Sequence, residues 1–218
     1  RHELFNGLQL FSSLSYHRRV PANKSAIDPG DEVNELITEH YNDFLLTIGF
    51  SYTPGQYYWY DGYRKEYLRS RYPTFSFEFG RAIPNVFGSN GNYGRIEADV
   101  HQSIPLGLSR KFNYHIGGGI YTAQKSTYFA DFRYFTRHYF PESWDDNDFG
   151  GVFHQLRSEW FNASDKYVQL HLMYESPFIF FQLMKPKASK YVLSERFYVS
   201  QLWMPIKPNY TELGYGFG

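Results

Sequence analysis

The chain has 218 residues, with 22 basic and 22 acidic side chains and no cysteine. Balanced charge leaves no electrostatic footprint for nucleic acid or an anionic membrane surface, and the absence of thiols excludes disulfides and thiolate metal sites. Aromatic residues make up 21% of it, yet its longest apolar run, about Phe178 to Phe181, is far short of the ~20 residues a spanning helix needs.

A mean hydropathy of −0.53 suggests water as the solvent. Alternation undermines that inference, because it averages the two faces of a strand together. Side chains of a strand point to opposite sides with period two, so the hydropathy of each face has to be read separately.

The first strand is predicted from about Leu4 to Arg18, with Leu8, Leu10, Leu14 and Tyr16 on one face. A polar loop with Pro21, Pro29 and Gly30 follows. Val33, Leu36, Ile37 and His40 then recur at helical spacing behind Asp31, which predicts a short helix ending near His40. Phe44, Leu46, Ile48, Phe50 and Tyr52 restore the period of two. After a Pro54-Gly55 turn, residues 56–72 are aromatic and basic and show no readable register.

Strands are predicted again over Thr74 to Arg81, Tyr93 to Ile104 and from Phe112 to Ile120. The clearest places Ile96, Ala98, Val100 and Ile104 on one face and Arg95, Glu97, Asp99 and His101 on the other. In the next, Gly117 and Gly119 share a face with His115, and glycine there implies a close approach to the backbone. Residues 128–151 read as a long, ordered, aromatic and charged loop. Further strands are expected near Phe153 to Phe161, Tyr167 to Glu175 and Tyr191 to Leu202, with a last one from Tyr210. Residues 162–165 form the hairpin turn between the first two of these.

This gives roughly nine or ten antiparallel strands in one all-β domain, a length that barrels reach without splitting. Charge on one face and aromatic or aliphatic residues on the other suit a polar-filled barrel set in lipid. Aromatic clusters at Tyr57 to Tyr60 and at Tyr134, Phe135, Tyr139 and Phe140 suit headgroup girdles. The expected fold is therefore a transmembrane β-barrel segment with long outer loops over residues 1–218. Arg1 follows no signal pattern and Gly218 interrupts an alternating run, so the segment is read as incomplete at both ends.

Phe50-Ser51-Tyr52-Thr53-Pro54-Gly55-Gln56, Arg71-Tyr72-Pro73-Thr74-Phe75-Ser76-Phe77-Glu78 and the tail from Phe129 to Gly218 carry a resemblance. Together they resemble the C-terminal barrel of large Bacteroidota outer-membrane proteins that bear an N-terminal carboxypeptidase-regulatory-like domain. That barrel is distantly similar to the BamA-type superfamily. The resemblance implies an outer-membrane location and no enzymatic activity. The lumen-loop tetrapeptide of BamA-type proteins is missing, and its nearest analogue by position is Asp131-Phe132-Arg133-Tyr134-Phe135. Arg133, Arg137, Phe132 and Tyr134 are accordingly the expected contacts of a loop folded into the barrel mouth.

Chemistry is sparse. The histidines form no zinc motif, and His101 and His115 are read as hydrogen-bonding groups of the polar face rather than ligands. Asp145 to Gly150 resembles a calcium loop but lacks the glutamate twelve residues on. No nucleophile elbow is present, and Gly117-Gly118-Gly119 precedes neither a helix nor a lysine. No catalytic residue, cofactor or metal is expected. Glu78, Arg95, Glu97, Asp99 and His101 are the expected lumen-facing charges, and they must be paired or wet.

The expected function is a structural, assembly or transport role in a bacterial outer membrane. The partners would be membrane lipid and other outer-membrane or periplasmic proteins, without nucleic acid. Two alternatives stay open: a soluble or surface-exposed β module binding glycan or protein, and a lipase-like enzyme at a barrel rim.

Overall fold

The computed structural model describes residues 2–20, 41–68, 70–126, 131–135, 152–156, 162–163, 165–177, 194–205 and 208–217. The main strands are β1 (His2–Phe5), β2 (Leu8–Arg19), β3 (Tyr41–Tyr52), β6 (Thr74–Ala82), β7 (Asn92–Pro105), β8 (Lys111–Ser126), β11 (Lys166–Ser176), β12 (Glu195–Trp203) and β13 (Tyr210–Phe217). They form one nine-stranded sheet in that spatial order. Every pairing between them is antiparallel. No α-helix occurs among the described residues, and the helix expected before His40 lies outside them.

Two small two-stranded sheets accompany the nine-stranded one. β4 (Tyr58–Asp61) pairs with β5 (Arg64–Tyr67), and β9 (Arg133–Tyr134) pairs with β10 (Asn162–Ala163).

Local chemistry explains the differences from the sequence reading. The first expected strand is two strands, because Asn6-Gly7 makes a turn in which Gly7 takes φ +86°, and Asn-Gly is a strong hairpin signal. The unassigned stretch after Gln56 folds back at Gly62, φ +60°, and pairs Asp61 with Arg64. The strand expected near Phe153 is absent from residues 152–156. Residues 162 and 163 pair with β9 instead of turning into β11, and β11 takes β8 and β12 as its neighbours.

The sheet is inverted relative to a protein dissolved in water. Asp43, Glu97, Asp99, His115, Gln169, His171, Ser200 and Glu212 are buried, while Ile48, Phe75, Ile116, Ile120, Val168 and Leu213 are exposed. Along β11 the pattern is strict from Tyr167 to Met173: Tyr167, Gln169, His171 and Met173 are buried, and Val168, Leu170 and Leu172 between them are not. The outward positions of β3 from Phe44, β6 to Phe79, β7 from Ile96, β8 from Phe112 to Ile120, β11 from Val168 to Tyr174 and β12 from Phe197 carry no charged side chain. Arg18, Arg81 and Lys166 share that face at the strand ends nearest the 127–165 connection, and Glu195, fully buried, falls in the same register at the opposite end of the sheet.

Large inward rings are accommodated by glycine on the neighbouring strand. Tyr167 is paired with Gly119, Tyr198 with Gly214 and Phe11 with Gly49. A Cβ at Gly119 would lie 2.6 Å from the Tyr167 ring. That is the close approach expected of an inward glycine in β8.

Candidate functional site: the polar inner face and the segments packed on it

β7 supplies the centre of the inner face. Its inward residues Arg95, Glu97, Asp99 and His101 follow one another at the strand period. Arg95 donates to Glu78 Oε1 of β6 at 2.9 Å, and its Nε lies 3.1 Å from Glu97 Oε2. The Tyr167 hydroxyl donates to Glu97 from β11, and Arg133 Nε stands 3.7 Å from Glu97 Oε1. Glu97 is 2% exposed and is met by two guanidiniums and a phenol. Isolated, a carboxylate at that depth would be held at a cost of several kcal/mol, so the cluster explains how it is tolerated.

Two stretches of the 127–165 connection pack against this face. Asp131 accepts from Arg19 Nη1 at 2.5 Å, and its carbonyl accepts from the Tyr121 hydroxyl at 2.8 Å. Phe135, Phe153 and Leu156 form an apolar cluster with Tyr167, Leu202 and Met204. The backbone N–H groups of His154 and Gln155 donate to the two oxygens of Glu212 at 2.9 and 3.0 Å. Tyr210 adds its hydroxyl at 2.9 Å. A loop backbone is thereby tied to a strand carboxylate, a charge-assisted arrangement about twice as strong as a neutral one.

The residues singled out in the sequence fall as follows. Glu78, Arg95, Glu97, Asp99 and His101 lie on one face of adjacent strands, β6 and β7. Arg133 joins them through Glu97. Phe132 is half-buried. Tyr134 takes part in β9, and its side chain is outside what is described, as is Arg137 together with the acidic run Asp145 to Gly150. Phe135, which sequence offered both as a girdle ring and as a ring of the loop folded over the barrel mouth, is buried in the cluster with Phe153 and Leu156. Glu195, at the start of β12, falls in register with outward Phe197 and Val199 yet is fully buried.

One row was not legible as a unit. Cross-strand register aligns Thr74, His101, His115, His171, Ser200 and Glu212. The ring centroids of His101 and His115 are 5.4 Å apart, and those of His115 and His171 are 6.2 Å apart. His171 Nδ1 is 2.9 Å from Ser200 Oγ, and the Phe153 ring lies 4.6 Å from the His171 ring. The signal was present in the sequence, since all three histidines occupy polar-face positions. Linking them requires the strand register.

At the opposite end of the sheet, the β4–β5 hairpin exposes Tyr57, Tyr58, Trp59, Tyr60 and Tyr63. Lys65 donates to Glu3 at 2.6 Å and lies 4.1 Å from the Tyr58 ring centroid. Desolvation pulls the Lys65 pKa down, but the Glu3 hydrogen bond and the charge interactions with Tyr67, Glu3 and Tyr58 together outweigh it, so the ammonium titrates above its ordinary range.

No curated protein and no solved structure matches the chain. A family model described as "Family of unknown function (DUF5686) C-terminal domain" matches residues 1–217. The inverted sheet and its packed inner face are therefore those of a chain that belongs to this C-terminal domain family.

Proposed function

We propose that the chain is a segment of a transmembrane β-barrel in a Gram-negative outer membrane, with a structural, assembly or transport role and no catalysis. The observation that carries this reading is the inversion of the sheet. Buried Glu97, Asp99 and His115 share one face of β7 and β8, while Val100, Ile116 and Val168 line the other and are only partly covered or exposed. In water such a face loses the burial of about 25 cal/mol per Å² that apolar surface gains on folding. Against hydrocarbon it needs no other partner.

Two further features support it. The outer side of β7, β8 and β11 forms an apolar groove where Ala98 and Gly118 stand beside Ile116 and Val168, a surface suited to acyl chains. The neighbour-to-neighbour antiparallel order of the sheet also suits a barrel wall. Closure would require β1 and β13 to pair with each other or with further strands, because exposed edges are not tolerated in lipid. The resemblance to Bacteroidota barrels with a carboxypeptidase-regulatory-like domain agrees with this location. Mixed charges and packed loop segments on the inner face suit an occluded barrel better than an open selective pore.

Detergent dependence tests the proposal. Purified chain should stay folded and monodisperse in detergent or bilayers and aggregate when detergent is removed. A chain that is folded, monomeric and monodisperse in plain buffer is a soluble β module instead.

A further inference from the structure

We propose that the inner face holds a transition-metal ion of the zinc class, bound by Asp99, His101 and His115. Side-chain atoms of these three residues that can ligate a metal all lie within 4.8 Å of one another. His115 Nε2 is 3.4 Å from Asp99 Oδ2, and His101 Nδ1 is 3.8 Å from Asp99 Oδ1. A tetrahedral shell with bonds of about 2.0–2.1 Å places neighbouring ligand atoms about 3.3–3.4 Å apart. Small side-chain rotations would therefore bring the three onto one ion. The contacts are also too long to be good hydrogen bonds.

Beyond these long contacts with one another, most of the donor atoms complete no hydrogen bond among the described residues. His115 is fully buried, yet neither of its ring nitrogens completes a hydrogen bond among the described residues, and Asp99 Oδ1 and His101 Nδ1 are in the same state. Buried polar groups are overwhelmingly paired, so several unpaired donors and acceptors converging on one point indicate a missing partner. Gln169 repeats the signal. It is fully buried, and neither its amide oxygen nor its nitrogen has a hydrogen-bond partner among the described residues. It stands one strand beyond Gly117 in the row of Asp99, so no side chain separates it from the carboxylate.

The donor set selects the ion. Two imidazoles and a carboxylate suit zinc and its neighbours, whereas calcium and magnesium require six or more oxygens or a hydrated octahedron. Three protein ligands leave a fourth position for water or an exogenous group. His171 adjoins His115 but is engaged with Ser200, so it positions the site rather than completing it. This inference rests on the buried polar face and not on the lipid assignment of the other face.

The test uses tag-free full chain, stripped with EDTA in the medium that keeps it folded, then titrated with Zn2+ and separately with Co2+. The expected result is one Zn2+ per chain by elemental analysis, a visible spectrum of four-coordinate Co2+, and no displacement by excess Ca2+. His115→Gln and Asp99→Asn should each weaken binding by about a hundredfold or more, at or beyond the upper end of the 10–100-fold range of outer-shell changes. His17→Gln, a histidine of β2 on the same face, should leave it unchanged. Far-UV circular dichroism of each variant checks that loss of binding is not loss of fold. Failure of the stripped wild-type chain to take up Zn2+ overturns the proposal and leaves a hydrated polar cluster. Equal uptake by wild type, His115→Gln and Asp99→Asn, or loss of uptake in His17→Gln, overturns it as well by moving the ion elsewhere.

Discussion

β2 and β7 carry the same alternation but meet different surroundings on their inner faces. In β7, Glu97 and Asp99 are 2% and 6% exposed, and Arg133 reaches Glu97 from the 127–165 connection. In β2, Ser13 and His17 point inward in register with Thr47 and Asp43, and both remain exposed. The two strands differ in what covers them. The described segments 131–135 and 152–156 lie over β7, β8, β11, β12 and β13, and reach β2 only at its end, through Arg19 and Asp131. Alternation thus fixes which side of a strand is polar. Burial, and with it the energetic weight of a charge, is set by distant chain packed on that side.

The sharpest way to break this contrast is to truncate one inward polar side chain on each strand. Glu97→Ala leaves Arg95, Arg133 and Tyr167 without their shared acceptor and should cost about 3–5 kcal/mol. Ser13→Ala on β2 should stay within about 0.5 kcal/mol. Urea unfolding in detergent micelles, followed by tryptophan emission, reads both. Equal effects at the two positions would show that the inner face is evenly solvated.

The outer face responds to charge in the opposite sense. Val100→Arg should destabilise by about 2–4 kcal/mol if that position lies near the midplane of a bilayer. Asp99→Asn, measured on metal-free chain beside it, should be milder. A smaller effect at Val100 than at Asp99 would reverse the assignment of the two faces.

Glycine positions sharpen the comparison further. Gly119→Ala forces a methyl against the Tyr167 ring at 2.6 Å and should cost about 1–3 kcal/mol by overpacking. At Gly80 the nearest atom to an added Cβ is 3.6 Å away, on Leu45, so Gly80→Ala should be close to neutral. Thermal unfolding of the two variants distinguishes crowding from a general intolerance of substitution inside the sheet.

Among the substitutions that remove an ion pair, the smaller expected effect on global stability belongs to Asp131→Ala. It deletes the contact with Arg19 and should loosen the loop segment while leaving the sheet intact. Trypsin should cut the folded wild-type chain slowly after Arg133 and the variant faster. Rapid cleavage of the wild type at Arg133 would mean that the loop is not held on the inner face.

Much of the wall could be read from sequence because a period of two survives without knowledge of neighbours. Ile96, Ala98 and Val100 against Arg95, Glu97 and Asp99 is a local fact, and six of the nine strands were found close to their bounds for that reason. The early hairpin is hidden in the alternation because apolar residues continue on both sides of Asn6-Gly7. Residues 56–72 were unreadable because β4 and β5 are short, with aromatic residues on both faces. Ring composition alone leaves Phe135 between a rim ring and a packed loop ring, and its contacts with Phe153 and Tyr167 select the second. The Asp99–His101–His115 cluster needs the β7–β8 register, which pairs His101 with His115. That register depends on a turn of five residues, 106–110, whose geometry is not written in the alternation.

The central claim is that the apolar face of the sheet meets lipid. The chain has no native cysteine, so single cysteines at Ile116, Val168 and Leu213, with one at His17 for the inner face, can each carry a nitroxide label in reconstituted bilayers. Collision with oxygen, which partitions into lipid, and with a water-soluble nickel complex reports the solvent at each site. The account predicts high oxygen and low nickel accessibility at positions 116, 168 and 213, and the reverse at 17. High nickel accessibility at all three outer positions would place that face in water and contradict the barrel.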